Sequence, residues 1–145
     1  MKRLVILLAF TACQLFAMAQ KELHIGPLFE GKIVPHDQMV ETRVRGRSLS
    51  KYGLTYFHSL RFEPSSKEEK TLKKLLKEDM AERASQEYKC YIDDEKDLYQ
   101  VFMQLPAVNG KNRMLCYKQR YDRVLVIYME GPGASFNTLE KMSNK

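Results

Sequence analysis

The chain has 145 residues, with 24 Lys and Arg against 18 Asp and Glu and a net charge of +6, a length that suits one ordinary domain. The basic residues are spread along the chain rather than gathered in a tail, so the bias gives no ground for a nucleic-acid partner. No internal repeat, low-complexity run or cofactor motif is present.

Lys2 and Arg3 precede an apolar run from Leu4 to Phe16 that ends in Ala17, Met18, Ala19 and Gln20. A basic start, a run too short for a lasting membrane span, and Ala at the first and third positions before a cut are the marks of a secretory signal. Residues 1–19 are therefore expected to be removed, placing a protein that begins at Gln20 in the periplasm or outside the cell, with no transmembrane span after processing. Phe10, Thr11, Ala12 and Cys13 also approach the box at which bacterial lipoproteins are cut and acylated. Anchoring at Cys13 is the alternative form of export, although Gln14 to Ala17 continue the apolar run where a tether would turn polar.

Residues 20–39 read as an extended lead-in punctuated by Pro27 and Pro35, with His24 to Phe29 able to form a short edge strand. A single α+β domain is expected over residues 40–145. Val40 to Arg47 alternates, placing Arg43, Arg45 and Arg47 on one side of a strand. Gly46 and the Ser48 to Gly53 stretch interrupt it, and Leu54 to Phe62 alternates again, with Leu54, Tyr56, His58, Leu60 and Phe62 on one face. After Pro64, Ser66 and Glu69 have the spacing of a capping box, which predicts a helix from Lys67 to Gln86 with Leu72, Leu75, Leu76, Met80 and Ala84 as its apolar stripe.

Four further strands follow at Tyr88 to Ile92, Leu98 to Leu105, Arg113 to Gln119 and Arg123 to Glu130. Asn109 and Gly110 suit a tight hairpin, and Asp93 to Glu95 a solvated turn. In that register Cys90, Val101, Met103, Met114 and Cys116 share one face, with Met103 opposite Cys116. The last strand is apolar on both sides and belongs in the middle of the sheet. Ser135 caps a short C-terminal helix holding Leu139 and Met142. The expected architecture is α+β: one long helix packed on a mostly antiparallel sheet of about five strands, with a short C-terminal helix. Cys90 and Cys116 fall on strands separated by a third, too far apart for a disulfide, and are expected to be buried free thiols.

Chemistry is sparse. Ser48 and Lys51 have the spacing of a serine acyl-transferase pair but sit in a glycine-flanked loop. His24, His36 and His58 lack partners at metal-site spacing, and His58 on an apolar strand face reads as a hydrogen-bonded core residue. Asp93, Glu95 and Asp97 lack the central Gly and terminal Glu of a calcium loop. The polar set with most promise is Arg43, Arg45, Arg47, Lys51 and Arg61, whose guanidiniums suit phosphate, sulfate or uronate. The alternative is a charged face that discourages edge pairing.

The leader ending Ala17 to Gln20, the segment Leu28 to Lys32, the stretch Met39 to Phe62, and the later Gln104 to Pro106 and Val126 to Gly131 resemble a family of small exported proteins of Bacteroides-type anaerobes, a domain of unknown function. The resemblance implies lineage and a single domain, and supplies no catalytic residues. The expected function is therefore that of an exported, non-enzymatic envelope protein that binds a protein or an anionic glycan through the sheet and the Arg43 to Lys51 region. A small periplasmic hydrolase built on His58 is the alternative.

Overall fold

The computed structural model describes residues 23–82 and 88–144. The leader with Cys13, and the expected helix end at Ala84 to Gln86, lie outside the described residues. Six strands form one antiparallel sheet, in the order β1-β2-β6-β5-β4-β3: β1 Val40–Arg45, β2 Tyr56–Phe62, β3 Tyr88–Asp93, β4 Leu98–Val108, β5 Lys111–Arg120 and β6 Arg123–Gly131. Helix α1 spans Gly26–Phe29, α2 spans Ser66–Glu82 and α3 spans Phe136–Ser143. The expected α+β architecture is present with six strands instead of about five, because Val40 to Arg45 pairs along its whole length with β2.

The sheet is a β1–β2 hairpin and a β3-to-β6 meander joined where β2 meets β6. That junction places β6 in the interior, as its apolar faces require, and Val126, Ile127, Tyr128 and Met129 are all buried. One core lies between the sheet and α2, where Leu72 and Leu76 meet Tyr56, Leu60, Val101, Leu115 and Tyr117. The other lies beneath α3, where Leu139 meets Phe102, Met114, Cys116, Ile127 and Met129.

Residues expected as an extended lead-in contribute to the first core: Leu23, Ile25, Leu28, Phe29 and Val34 are buried in it. His24 to Phe29 is a helical turn and not an edge strand, since Pro27 sits in its first turn, where the missing N–H costs nothing. Asp79 of α2 holds this segment down. Its carboxylate accepts from the His24 and Ile25 backbone N–H groups at 2.7 and 2.9 Å.

Other differences are displacements of one to three residues along the chain. The capping box is Ser65 with Glu68: the Glu68 N–H donates to Ser65 Oγ at 3.2 Å and the Ser65 N–H to Glu68 Oε1 at 2.9 Å. Leu54 precedes β2 and packs in the core beneath α3. Between β4 and β5, Val108 pairs with Lys111, but Leu105 pairs with Arg113, so Pro106 and Ala107 oppose Asn112 alone. This bulge shifts the register by one, and a one-residue shift exchanges the faces of a strand. Cys116 consequently pairs with Phe102 rather than Met103, and Met114 and Cys116 pack beneath α3 while Val101 and Met103 face α2. Both thiols are free, with β4 between their strands as expected. Cys116 is buried, but Cys90 is exposed, because β3 is an edge strand with little covering it.

Candidate functional site

The five cations singled out from sequence are divided among three places. Arg43 and Arg45 pair with His58 and Tyr56 and so lie on the α2 face of β1. Arg43 Nη2 donates to Glu41 Oε1 at 2.9 Å, and the Arg45 guanidinium lies 5.4 Å from the Tyr56 ring centre. Arg47 is not on the strand. Gly46 turns the chain with φ 89°, a left-handed value suited to glycine, and Arg47 and Lys51 fall in the 3-10 segment Arg47–Tyr52. Lys51 Nζ lies 4.9 Å from the Tyr52 ring, while Ser50 Oγ donates to the Arg47 carbonyl at 2.7 Å. The Ser48 and Lys51 pair thus belongs to a packed turn.

Arg61 projects from the opposite face, and there it has company. A groove of about 770 Å³ is lined by Arg61, Lys118, Arg120 and Arg123, with Glu63 as its single carboxylate. The sheet order gathers these cations. Arg61 on β2 pairs with Leu125 on β6, and Leu125 pairs with Lys118 on β5, so Arg61 and Lys118 flank an apolar floor. Arg120 and Arg123 face each other across the Tyr121–Asp122 turn. Lys118 Nζ donates to the Ser143 carbonyl at 3.4 Å, tying the end of α3 to the rim. Arg123 reaches Glu63 at only 3.7 Å between largely exposed side chains, a weak and screened pair. Arg61 and Arg120 make no ion pair among the described residues. Val40 and Leu125 supply apolar wall. Sequence reasoning found Arg61 but not its neighbours; the signal was the density of Lys118, Arg120 and Arg123 around a two-residue turn.

His58 sits in a different environment. It is buried on the α2 face with the Phe29 ring centre 5.0 Å away and tilted by 47°, Nε2 lies 3.0 Å from Glu41 Oε1, and Nδ1 lies 3.3 Å from the Tyr56 hydroxyl. The neutral ring satisfies both contacts when Nε2–H donates to Glu41 and Nδ1 accepts from Tyr56. Burial, reinforced by the nearby Arg43 charge and opposed by Glu41, lowers its pKa to about 4. Glu41 also meets His36 Nδ1 at 3.2 Å. Further along the same face, Arg113 Nε donates to the Tyr128 hydroxyl at 2.9 Å and Nη1 to the Pro106 carbonyl at 3.2 Å, while the Tyr128 hydroxyl donates to Glu130. Burial drives the Tyr128 pKa upward, keeping it a neutral donor. These are satisfied buried networks, and His58 does not line the basic groove.

A second groove, of about 760 Å³, is lined by Asp93, Asp94, Glu95 and Glu140 beside Tyr91 and Phe102. Among the described residues, no three His, Cys, Asp or Glu side chains are grouped to hold a metal ion, and no helix is long and apolar enough to cross a membrane.

Residues 12–143 match a family of unknown function (DUF6108). No curated protein matches the chain.

Proposed function

The chain belongs to this family, DUF6108, and from that premise we propose that it is an exported, non-enzymatic binding protein whose basic groove takes an anionic glycan. The observation that carries the reading is the gathering of Arg61, Lys118, Arg120 and Arg123 around a concave surface with one carboxylate. The groove has the volume of a small-ligand site, and guanidiniums clasp sulfate or carboxylate with paired hydrogen bonds. Its apolar floor at Leu125, with Val40 beside it, matches the carbon faces of a sugar ring rather than a bare inorganic anion. Export rests on Lys2, Arg3, the Leu4 to Phe16 run and the Ala17 to Ala19 ending. The site proposed here keeps Arg61 from the sequence-derived set and exchanges its companions for the β5–β6 cations.

Calorimetric titration with a heparin-like sulfated oligosaccharide, a polyuronate and neutral dextran tests the proposal. The charged saccharides are expected to bind with an affinity that falls as salt rises, and dextran is not. Arg120→Ser with Arg123→Ser removes two charged donors and is expected to weaken binding at least tenfold. Arg43→Ser with Arg45→Ser, on the other face, leaves binding unchanged. Equal binding of dextran, or indifference to the Arg120 and Arg123 changes, refutes the groove.

A further inference from the structure

The two edges of the sheet differ in kind. On β1, Glu41, Arg43 and Arg45 stand along one face, the charged protection that edge strands commonly carry. On β3 the exposed residues are chiefly apolar: Ile92 is 68 % exposed, Tyr88 50 % and Tyr91 49 %, with Cys90 exposed between them. The only charges on this strand are Lys89 and Asp93, four residues apart. Both fall on the α3 face with Tyr91, opposite Phe102, Leu98 and Gln100 respectively, whereas Tyr88, Cys90 and Ile92 fall on the α2 face.

We propose that β3 pairs with β3 of a second copy of this chain, antiparallel about a two-fold axis through Tyr91, joining two six-stranded sheets into one. A two-fold axis normal to the sheet keeps each residue on its own face, so the axis must pass through a residue and not between two. Centred on Tyr91, the pairing sets Lys89 of each copy opposite Asp93 of the other, twice over. It also sets Cys90 opposite Ile92 twice and Tyr91 opposite itself. Opposite charges directly across an antiparallel pair stabilise it, and like charges there destabilise it. The strand is therefore complementary in charge to itself in this register, which is why the second copy, rather than an unrelated extended peptide, is its occupant. Backbone groups on the outer side of β3 gain the partners that an open edge leaves to water. The pairing leaves the basic groove, which is built from β2, β5 and β6, outside the interface.

Sedimentation velocity of the purified protein over a wide concentration range tests this. A monomer–dimer equilibrium that weakens with salt is expected. Lys89→Asp alone places Asp opposite Asp twice, and Asp93→Lys alone places Lys opposite Lys twice; each is expected to raise the dissociation constant about tenfold or more. The double variant restores opposite charges in reversed order and is expected to recover the dimer, which a merely damaged fold would not do. Thermal melts of the four proteins accompany the measurement. A monomer at every concentration overturns the proposal. So does a dimer that persists in both single variants, or one lost in the singles and not regained in the double.

Discussion

His58 stands out among the residues because both its ring nitrogens are engaged and its pKa lies at about 4, below the 6.5 of an unhindered imidazole. As pH falls from about 6.5 toward 4, the unfolded chain takes up a proton before the folded one does. Stability is full above this window and declines through it, by at most about 3 kcal/mol for a shift of this size. His24 has the opposite sign: its hydrogen bond to Glu82 raises its pKa, and its contribution fades as pH rises. His58→Gln is expected to flatten the decline between pH 6.5 and 4, read as melting temperature against pH for both proteins. The thiols give a second residue-scale prediction. Cys116 is buried with its pKa pushed up to about 12, whereas Cys90 is exposed. Iodoacetamide at mildly alkaline pH is expected to label Cys90 in the native protein and both thiols only after denaturation, read by intact mass. His58 as a bonded core residue was legible in the alternation of β2, because period-two burial is local. The exposure of Cys90 was not, since a strand of Tyr, Cys and Ile reads as interior until its place at the edge is known.

At the scale of elements, Asp79 is the clearest case of a residue hidden by its own helix. It is fully buried within the stripe of Leu72 and Leu76, and its two oxygens satisfy two backbone donors of a segment more than fifty residues earlier. Asp79→Ala leaves both N–H groups without their partner and is expected to cost about 3 kcal/mol. Limited proteolysis is expected to cut the stretch around Gly31 and Lys32 sooner in that variant than in the wild type. Hydrophobic periodicity located α2 and α3, the strands and the Asn109–Gly110 turn, because each signal lies within a few residues. It placed Met114 and Cys116 on the wrong face because the Pro106–Ala107 bulge is a property of two paired strands, and one inserted residue exchanges the faces of everything beyond it. Arg47 failed for a related reason: Gly46 ends the strand before the alternation does.

At the scale of the whole molecule, the basic groove was illegible because its cations come from β2 and from the β5–β6 turn, and nothing local says that β6 will settle beside β2. Arg61 entered the sequence-derived set as a neighbour of Arg43 and Arg45 along the chain, yet the pleat sends it to the opposite face. The same topology has a consequence for how the chain is made. The strand that joins the β1–β2 hairpin to the rest of the sheet is β6, the last of the six to leave the ribosome. Until residues 123–131 emerge, Tyr56, Leu60 and Phe62 lack the neighbour that completes their side of the core, and the growing chain carries two unfinished half-sheets. Synthesis at about 5–20 residues per second leaves that apolar surface open for several seconds. A nascent chain arrested before β6 is consequently a substrate for chaperones and proteases, because the β1–β2 hairpin and the rest of the sheet stay unjoined until residues 123–131 are in place.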